Sequence, residues 1–282
     1  MNSQNNKGGK NAYLIILSII TVACILVGAM WHIGGFFGKG FKGFKGFNFN
    51  VGNVVTWSDP GDNVHEKANL DAFDSIDVSL GIGEFYLKEG SSFEISYDYP
   101  EKWVPEYSVS GKKLTVKHPK HLSFNTAGSV DAKVVITVPK GTVLDEIDVN
   151  CSLGDIDISD VNCERYDIDE SLGEITVKNV TCGDIFADNS LGSIQLTNVS
   201  AKKLGANLSM GDLTVKDSDI DTVDCGNSMG SVEFEGKCKS LNIDNSMGDI
   251  KVTSDSDWKG KLQTNMGEIK YNGENYGTKL KR

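Results

Sequence analysis

The stretch SLGDIDISDVNCERYDIDESLGEI, residues 152–175, decides the fold because it holds the first two copies of a five-residue motif. The motif is Ser, then Leu or Met, then Gly, then an acidic residue or Ser, then an aliphatic residue. It recurs as far as residue 269, with Asn replacing Ser in the last copy, and its glycines are 19, 19, 19, 19, 18 and 19 residues apart. A fixed period of this length is typical of repeat architectures. The seven glycines are Gly154, Gly173, Gly192, Gly211, Gly230, Gly248 and Gly267.

The residues around each glycine alternate in polarity. The positions one before, two after and four after the glycine are apolar in every copy, whereas the position one after is Asp, Glu or Ser. Alternation with a period of two predicts a β-strand with one solvent-facing side. Apolar residues 12 and 14 positions after the glycine, such as Tyr166 and Ile168, predict a second strand in each repeat.

Each repeat is therefore predicted to form one coil of an all-β, parallel β-helix-like solenoid. Coils about 4.8 Å apart would make a stack of roughly 34 Å, which folds cooperatively because no coil can bury its own apolar side. We expect the glycines to form the corners, together with Gly83, which has the same register. The serines at the same corner should form a hydrogen-bonding ladder rather than act as nucleophiles, since no histidine accompanies them. They are Ser152, Ser171, Ser190, Ser209, Ser228 and Ser246.

The regular repeats occupy residues 151–272. Residues 70–150 also show alternating runs, but less regularly. We interpret them as distorted N-terminal coils that cap the stack, with a separate small sandwich as the alternative. Residues 273–282 are polar and are expected to cover the last coil.

The N-terminal segment differs from this acidic body. After a short tail at residues 1–12, residues 13–33 are almost wholly apolar and, as a helix, would span roughly 31 Å, enough for one transmembrane helix. Two alternatives are a cleaved signal peptide, with a small-residue site at residues 27–29, and lipidation of Cys24. A short tail before a first helix usually stays in the cytoplasm, so we expect the body to lie outside.

Charge supports this division into two parts. Residues 1–50 contain five lysines and no acid, whereas the rest contains 23 basic and 39 acidic residues. Within the juxtamembrane segment and stalk, residues 34–69, a Phe/Lys/Gly run either contacts anionic lipid through Lys39, Lys42 and Lys45 or forms a flexible linker. The net charge of −11 disfavours nucleic acid as a partner.

No catalytic, cofactor or metal site is predicted. Cys163 and Cys182 occupy the same position of adjacent repeats, where buried thiols are favoured over a disulfide. His118 and His121 are interpreted as parts of an exposed loop rather than as a ligand pair. The acidic residues follow the solvent side of every coil without one distinct cluster, which disfavours both an enzyme and ordered calcium sites.

The tandem units resemble the putative-adhesin family of bacterial β-strand-repeat proteins, whose function is unknown. VVITVPKGT at residues 134–142, which leads into EIDVNCSLGDI at 146–156, is similar to the same family. The resemblance covers roughly residues 70–275. It implies a β-solenoid on the cell envelope, often behind one transmembrane helix and in some members encoded among envelope-stress genes. It brings no catalytic residues.

The sequence thus predicts a non-enzymatic, single-pass membrane protein that displays an acidic β-solenoid outside a bacterial cell. It would bind a surface ligand or an envelope protein, as an adhesin-like or envelope-stress accessory module. One rival is a polymerising β-solenoid scaffold on the cytoplasmic face. The less favoured rival is an enzyme that acts on glycans.

Overall fold

The computed structural model describes residues 61–118 and 132–282. The predictions for the tail, for the apolar segment 13–33, for Lys39, Lys42 and Lys45, and for His121 lie outside these residues. Over the described part, no helix has the length and apolar character needed to cross a membrane.

This part of the chain is all-β, with one 3₁₀ turn at Glu101–Trp103. The strands are β1 Asn63–Asn69, β2 Ser75–Leu80, β3 Glu84–Gly90, β4 Glu94–Pro100, β5 Glu106–Ser110, β6 Lys113–Lys117, β7 Lys133–Pro139, β8 Val143–Cys151, β9 Ile156–Ser159, β10 Asn162–Leu172, β11 Ile175–Leu191, β12 Ile194–Met210, β13 Leu213–Asn227, β14 Val232–Lys237, β15 Ser240–Met247, β16 Ile250–Thr253, β17 Lys259–Met266, β18 Ile269–Tyr271, β19 Glu274–Asn275 and β20 Lys279–Lys281.

The strands stack in parallel as a β-solenoid of about seven turns, which confirms the predicted architecture. β11, β12 and β13 each run along two sides of a coil, so that Ile175 pairs with Ile194 on one side and Ile185 with Leu204 on the other. Between the two sides the chain turns at a second corner, where Asn198 has a φ of 54°. Asn and Asp tolerate this left-handed conformation better than other non-glycine residues.

The core lies between the two sides and follows the predicted inward positions. Ile156, Ile158, Tyr166 and Ile168 of the first regular coil have no exposed surface. The same columns continue through the stack in one buried apolar cluster that runs from Phe73 to Ile269, with Tyr271 of the last coil partly buried against it. The stack therefore shares one continuous core.

Residues 70–150 extend the same stack and do not form a separate sandwich. β2 pairs in parallel with both β6 and β8, and β3 with both β7 and β9. The coil made by β2 and β3 thus lies between a β6–β7 coil and a β8–β9 coil. Antiparallel β4 and β5 flank β7 and β6, and β1 pairs with β4. Asn63–Asn69, assigned to the stalk from the sequence, is therefore an edge strand of the folded body.

Antiparallel strands also flank the last coil. β19 pairs with β18 and β20 with β17. The Arg282 guanidinium lies 5.2 Å from the Trp258 ring and 5.0 Å from the Tyr271 ring, and Nη1 donates a 2.6 Å hydrogen bond to the Tyr271 hydroxyl. These contacts cover the buried Trp258 at the end of the core.

Candidate functional site

The glycine corners form a column along one edge of the solenoid. All seven repeat glycines and Gly83 have positive φ, between 116° and 157°. A Cβ built on Gly211 would lie 1.6 Å from the carbonyl oxygen of Gly192 in the preceding coil. This corner therefore needs glycine for two reasons, the backbone conformation and the close approach of the neighbouring coil.

The residue before each glycine lies at the surface. Leu153, Leu172, Met247 and Met266 have exposed fractions of 43%, 42%, 40% and 58%. The three intervening side chains are half-buried. Backbone pairing places successive members on adjacent coils, as Leu172 with Leu191 and Met247 with Met266. We call this row the Leu/Met ridge; it consists of Leu153, Leu172, Leu191, Met210, Met229, Met247 and Met266.

The ridge corrects an implication of the sequence pattern. Its positions are apolar in every repeat, and in the 19-residue repeats they lie 18 residues after the preceding glycine, in phase with the inward positions 12, 14 and 16. Period-two alternation along the strand before the corner would therefore place them inward. The positive φ of the corner glycine turns the chain between Leu153 and Ile156. The alternation of the preceding strand is interrupted at the corner, since Leu153 is exposed although Cys151, two residues earlier, is buried.

The acidic column beside the ridge ties neighbouring coils together. The Asp155 carboxylate accepts a 2.8 Å hydrogen bond from the backbone N–H of Glu174 one coil further on. Asp212 and Asp249 accept equivalent bonds of 2.6 and 2.9 Å from the residues 19 positions later. These carboxylates hold the coils in register, and they still leave negative charge at the surface because all three residues are exposed.

The predicted serine ladder is absent from the corner. Among the described hydrogen bonds, none comes from the hydroxyls of the six serines, which lie partly or fully exposed beside the ridge. Hydrogen bonds between coils instead come from the inward position three before the glycine wherever that residue is Asn or Thr; Cys151 and Leu208 occupy it at two other corners. The side-chain amides of Asn189, Asn227 and Asn245 donate to the carbonyl oxygens of Gly173, Gly211 and Gly230 at 2.9, 3.1 and 2.8 Å. Thr264 donates similarly to Gly248 through its hydroxyl.

Glu170 occupies the same inward position one coil earlier. Its Oε1 accepts from the backbone N–H of Leu172 at 3.0 Å, as the Asn227 Oδ1 accepts from that of Met229. Its Oε2 is buried and has no hydrogen-bond partner among the described residues. Desolvation by burial raises the pKa of Glu170 to about 8. Burial of this unpaired oxygen favours the protonated, neutral form of the side chain.

Both sides of the ridge are electronegative. The column after the glycines contains Asp155, Glu174, Asp212, Asp249 and Glu268, with serines at its other two positions. On the opposite side, beyond the serines, the next outward column contains Asp169, Asp188 and Asp244 with neutral residues between them. Neither column contains Lys or Arg. The ridge is thus an apolar row between two acidic borders.

Other candidate residues do not form a second site. Cys163 and Cys182 pair directly across adjacent coils, as their spacing predicts, and both are free thiols. Desolvation raises the pKa of each thiol to about 12. Cys238 joins their column because the 18-residue repeat has a register shift between Val215 and Ser218. This confirms that the missing residue lies before Cys238.

His118 does not lie in an exposed loop as predicted. Its ring centroid is 5.3 Å from that of Tyr99, and its Nδ1 accepts a 2.9 Å hydrogen bond from the Gly81 N–H. Desolvation lowers the pKa of His118 to about 4. The histidine is therefore a neutral packing element of the first coils.

The described residues contain no group of three or more His, Cys, Asp or Glu side chains placed to hold a metal ion. A shallow depression of about 270 Å³ near the C-terminal end is lined by polar residues that include Gln263 and Thr278. The Leu/Met ridge runs at the surface along all seven regular repeats, and it is our candidate functional site.

Comparison with known proteins agrees with the fold. A crystal structure of a putative adhesin from Bacteroides fragilis superposes with a TM-score of 0.59 at 16% identity, covering 74% of this chain and 97% of that chain. A putative cell adhesion protein from Clostridium sporogenes gives a TM-score of 0.47 at 14% identity, covering 63% and 99%. A putative lipid binding protein from Parabacteroides distasonis gives 0.46 at 14% identity, covering 76% and 96%.

The superposition on the Bacteroides fragilis protein shows a shared fold and, at 16% identity, does not extend to function. A search of curated proteins finds no match to the chain. The Toastrack DUF4097 family matches residues 83–281, which include all seven repeats, the ridge and the C-terminal strands. The chain therefore belongs to the Toastrack DUF4097 family.

Proposed function

We propose that this chain is a non-enzymatic binding module of the bacterial cell envelope. The Leu/Met ridge is the observation that supports this function best, because seven apolar side chains remain at the surface of a chain that buries the rest of its apolar columns. Exposed apolar rows of this length mark interaction sites more often than isolated exposed residues do. A rigid row repeated on every coil also suits several weak contacts made at once.

The proposal includes anchoring by one transmembrane helix at residues 13–33, with the acidic body outside the cell. It is supported by the apolar length of this segment and by the charge difference between it and the body. The relative from Bacteroides fragilis is described as a putative adhesin, which is consistent with a binding role at a cell surface. An accessory role in envelope-stress sensing would use the same exposed surface.

The two rivals make different predictions about the same molecule. A cytoplasmic scaffold that polymerises end to end needs accessible coil ends, whereas the last coil here is flanked by antiparallel β19 and β20. A glycan-cleaving enzyme needs a local pair of acids, whereas Asp155, Asp212 and Asp249 repeat one structural contact along the stack.

Protease added to intact cells tests the proposed display, with lysed cells as the control. We expect the body to be digested in intact cells whose wall admits the protease. Protection until lysis would contradict an outside location and favour the cytoplasmic scaffold. Light scattering of the purified chain further distinguishes the binding module from the scaffold, because a scaffold would form polymers whose size increases with concentration.

A further inference from the structure

The ridge and its borders together define the chemistry of a partner. An apolar row one residue wide reaches the surface of every regular coil from Leu153 to Met266, with its three middle side chains half-buried. The flanking columns carry eight acids and no basic residue. A partner that covers this surface must bring apolar groups to the centre and positive charge to both sides.

We propose that the Leu/Met ridge binds a basic, apolar polypeptide segment in an extended conformation of the polyproline II type. This inference rests on the proposed binding function and names the class of partner. Apolar side chains at every third position would contact the ridge, and Lys or Arg at the positions between them would face the acidic columns.

The spacing of the coils supports this conformation. Successive ridge side chains are separated by about 4.8 Å, so every second one repeats at about 9.6 Å. Polyproline II has three residues per turn and a rise of about 3.1 Å, which gives about 9.3 Å per turn. A β-strand repeats on one face at about 6.8 Å, and an α-helix at about 5.4 Å per turn. Polyproline II is thus the regular conformation whose repeat stays closest to two coils along the ridge.

Charge argues against two other occupants. A second copy would place its own acidic columns against Asp155, Asp212 and Asp249 across a narrow contact, where like charges repel. An anionic lipid surface meets the same repulsion. A basic peptide instead gains Coulomb attraction along the whole ridge.

A synthetic peptide provides the test. Its probe is about twelve residues of repeated Pro-Lys-Lys, which spans about 37 Å as polyproline II and places lysine on both sides of the apolar face, with a fluorescent label at one end. Proline fixes its own φ and restricts the preceding lysine to extended conformations. Binding to the purified full-length chain is followed by fluorescence anisotropy. The controls are a peptide of the same composition in shuffled order and one with Glu replacing Lys.

We expect the periodic basic peptide to bind about tenfold more tightly than either control, and to weaken as salt screens the acidic columns. The double variant L172Q/M247Q should weaken binding about tenfold, because both side chains are exposed on the ridge. Val143→Gln is the matched control, since Val143 is 57% exposed and lies off the ridge. It should leave the affinity unchanged.

Three outcomes would overturn the proposal. The first is that the shuffled or acidic peptide binds as tightly as the periodic basic peptide. The second is that L172Q/M247Q leaves the affinity for the peptide unchanged. The third is that the ridge binds phosphatidylcholine vesicles or a second copy of the chain and does not bind the peptide. A positive peptide result with a body that resists protease on intact cells would leave this inference standing and reject only the proposed display. If the peptide does not bind but protease digests the body on intact cells, this inference is rejected and the proposed display stands.

Discussion

The side-chain amide of Asn189 donates a 2.9 Å hydrogen bond to the carbonyl oxygen of Gly173 in the preceding coil. The same contact recurs from Asn227 to Gly211 and from Asn245 to Gly230. The corner is therefore supported from within by a buried polar ladder, while its outer surface carries the Leu/Met ridge. The stability of the corner and the exposure of the ridge depend on the same turn.

Gly211→Ala should destabilise the solenoid strongly. The new Cβ would lie 1.6 Å from the Gly192 carbonyl oxygen, and alanine also disfavours the φ of 152°. We expect a loss of at least about 2 kcal/mol in the free energy of unfolding, measured by denaturant titration. Gly141→Ala is the control, because Gly141 has a φ of 78° but nothing within 4 Å of its Cβ position. Equal losses for both variants would show that crowding at the corner is unimportant.

Asn245→Ala should destabilise the solenoid because it removes one hydrogen bond of the inner ladder. Asn245 has no exposed surface, and its loss leaves the Gly230 carbonyl oxygen buried without this donor. Leaving a buried acceptor unpaired costs about 1–3 kcal/mol, which thermal unfolding followed by circular dichroism would detect. Asn265→Ala, on the exposed side of the next coil, should change the transition little. An unchanged unfolding temperature for Asn245→Ala would contradict this role and indicate that water replaces the amide.

Glu170 should make stability depend on pH. Its folded-state pKa of about 8 lies above an unfolded value of about 4.3, so the folded state holds the proton more tightly. This contribution is fully present below pH ~4 and is lost as the pH rises through about 8. Glu170→Gln is neutral at every pH and removes this titration, so the variant should gain stability over the original chain as the pH increases. Parallel pH profiles for the two proteins, from denaturant titrations, would contradict the assignment.

Arg282→Ala should loosen the last coil. The change removes the guanidinium from Trp258 and Tyr271 and breaks the 2.6 Å hydrogen bond to the tyrosine hydroxyl. We expect a loss of about 1–2 kcal/mol and a red shift of tryptophan emission as Trp258 gains solvent. Lys281→Ala is the control, because Lys281 is the exposed neighbouring residue at the end of β20. Unchanged emission would show that the ring stack does not protect the end of the core.

The sequence predicts the solenoid well because its period and its inward columns are local properties of each repeat. Ile156, Ile158, Tyr166 and Ile168 could be assigned to the core from alternation alone. The ridge could not, because Leu153 is in phase with the inward Cys151 of the strand before the corner and out of phase with the inward Ile156 of the strand after it. An apolar residue beside a corner glycine carries no signal of direction in sequence.

Alternation in the sequence could have placed the residues of the inner ladder in the core. Glu170 and Asn189 each lie 16 positions after a repeat glycine, in phase with the inward positions 12 and 14. A polar residue in phase with the core must find a hydrogen-bond partner. Its partner is a backbone carbonyl of the neighbouring coil, which sequence cannot identify. The serines are out of phase with the core by one position, and this explains their exposure.

The central claim is that the Leu/Met ridge faces the outside of the cell, and one labelling measurement tests it. Met266→Cys places a thiol at a ridge position whose native side chain is 58% exposed. The original chain is the control, since burial raises the pKa of Cys163 and Cys182 to about 12 and leaves them unreactive. A membrane-impermeant maleimide should label the variant as fully on intact cells as on permeabilised cells. Labelling that requires permeabilisation would contradict the account.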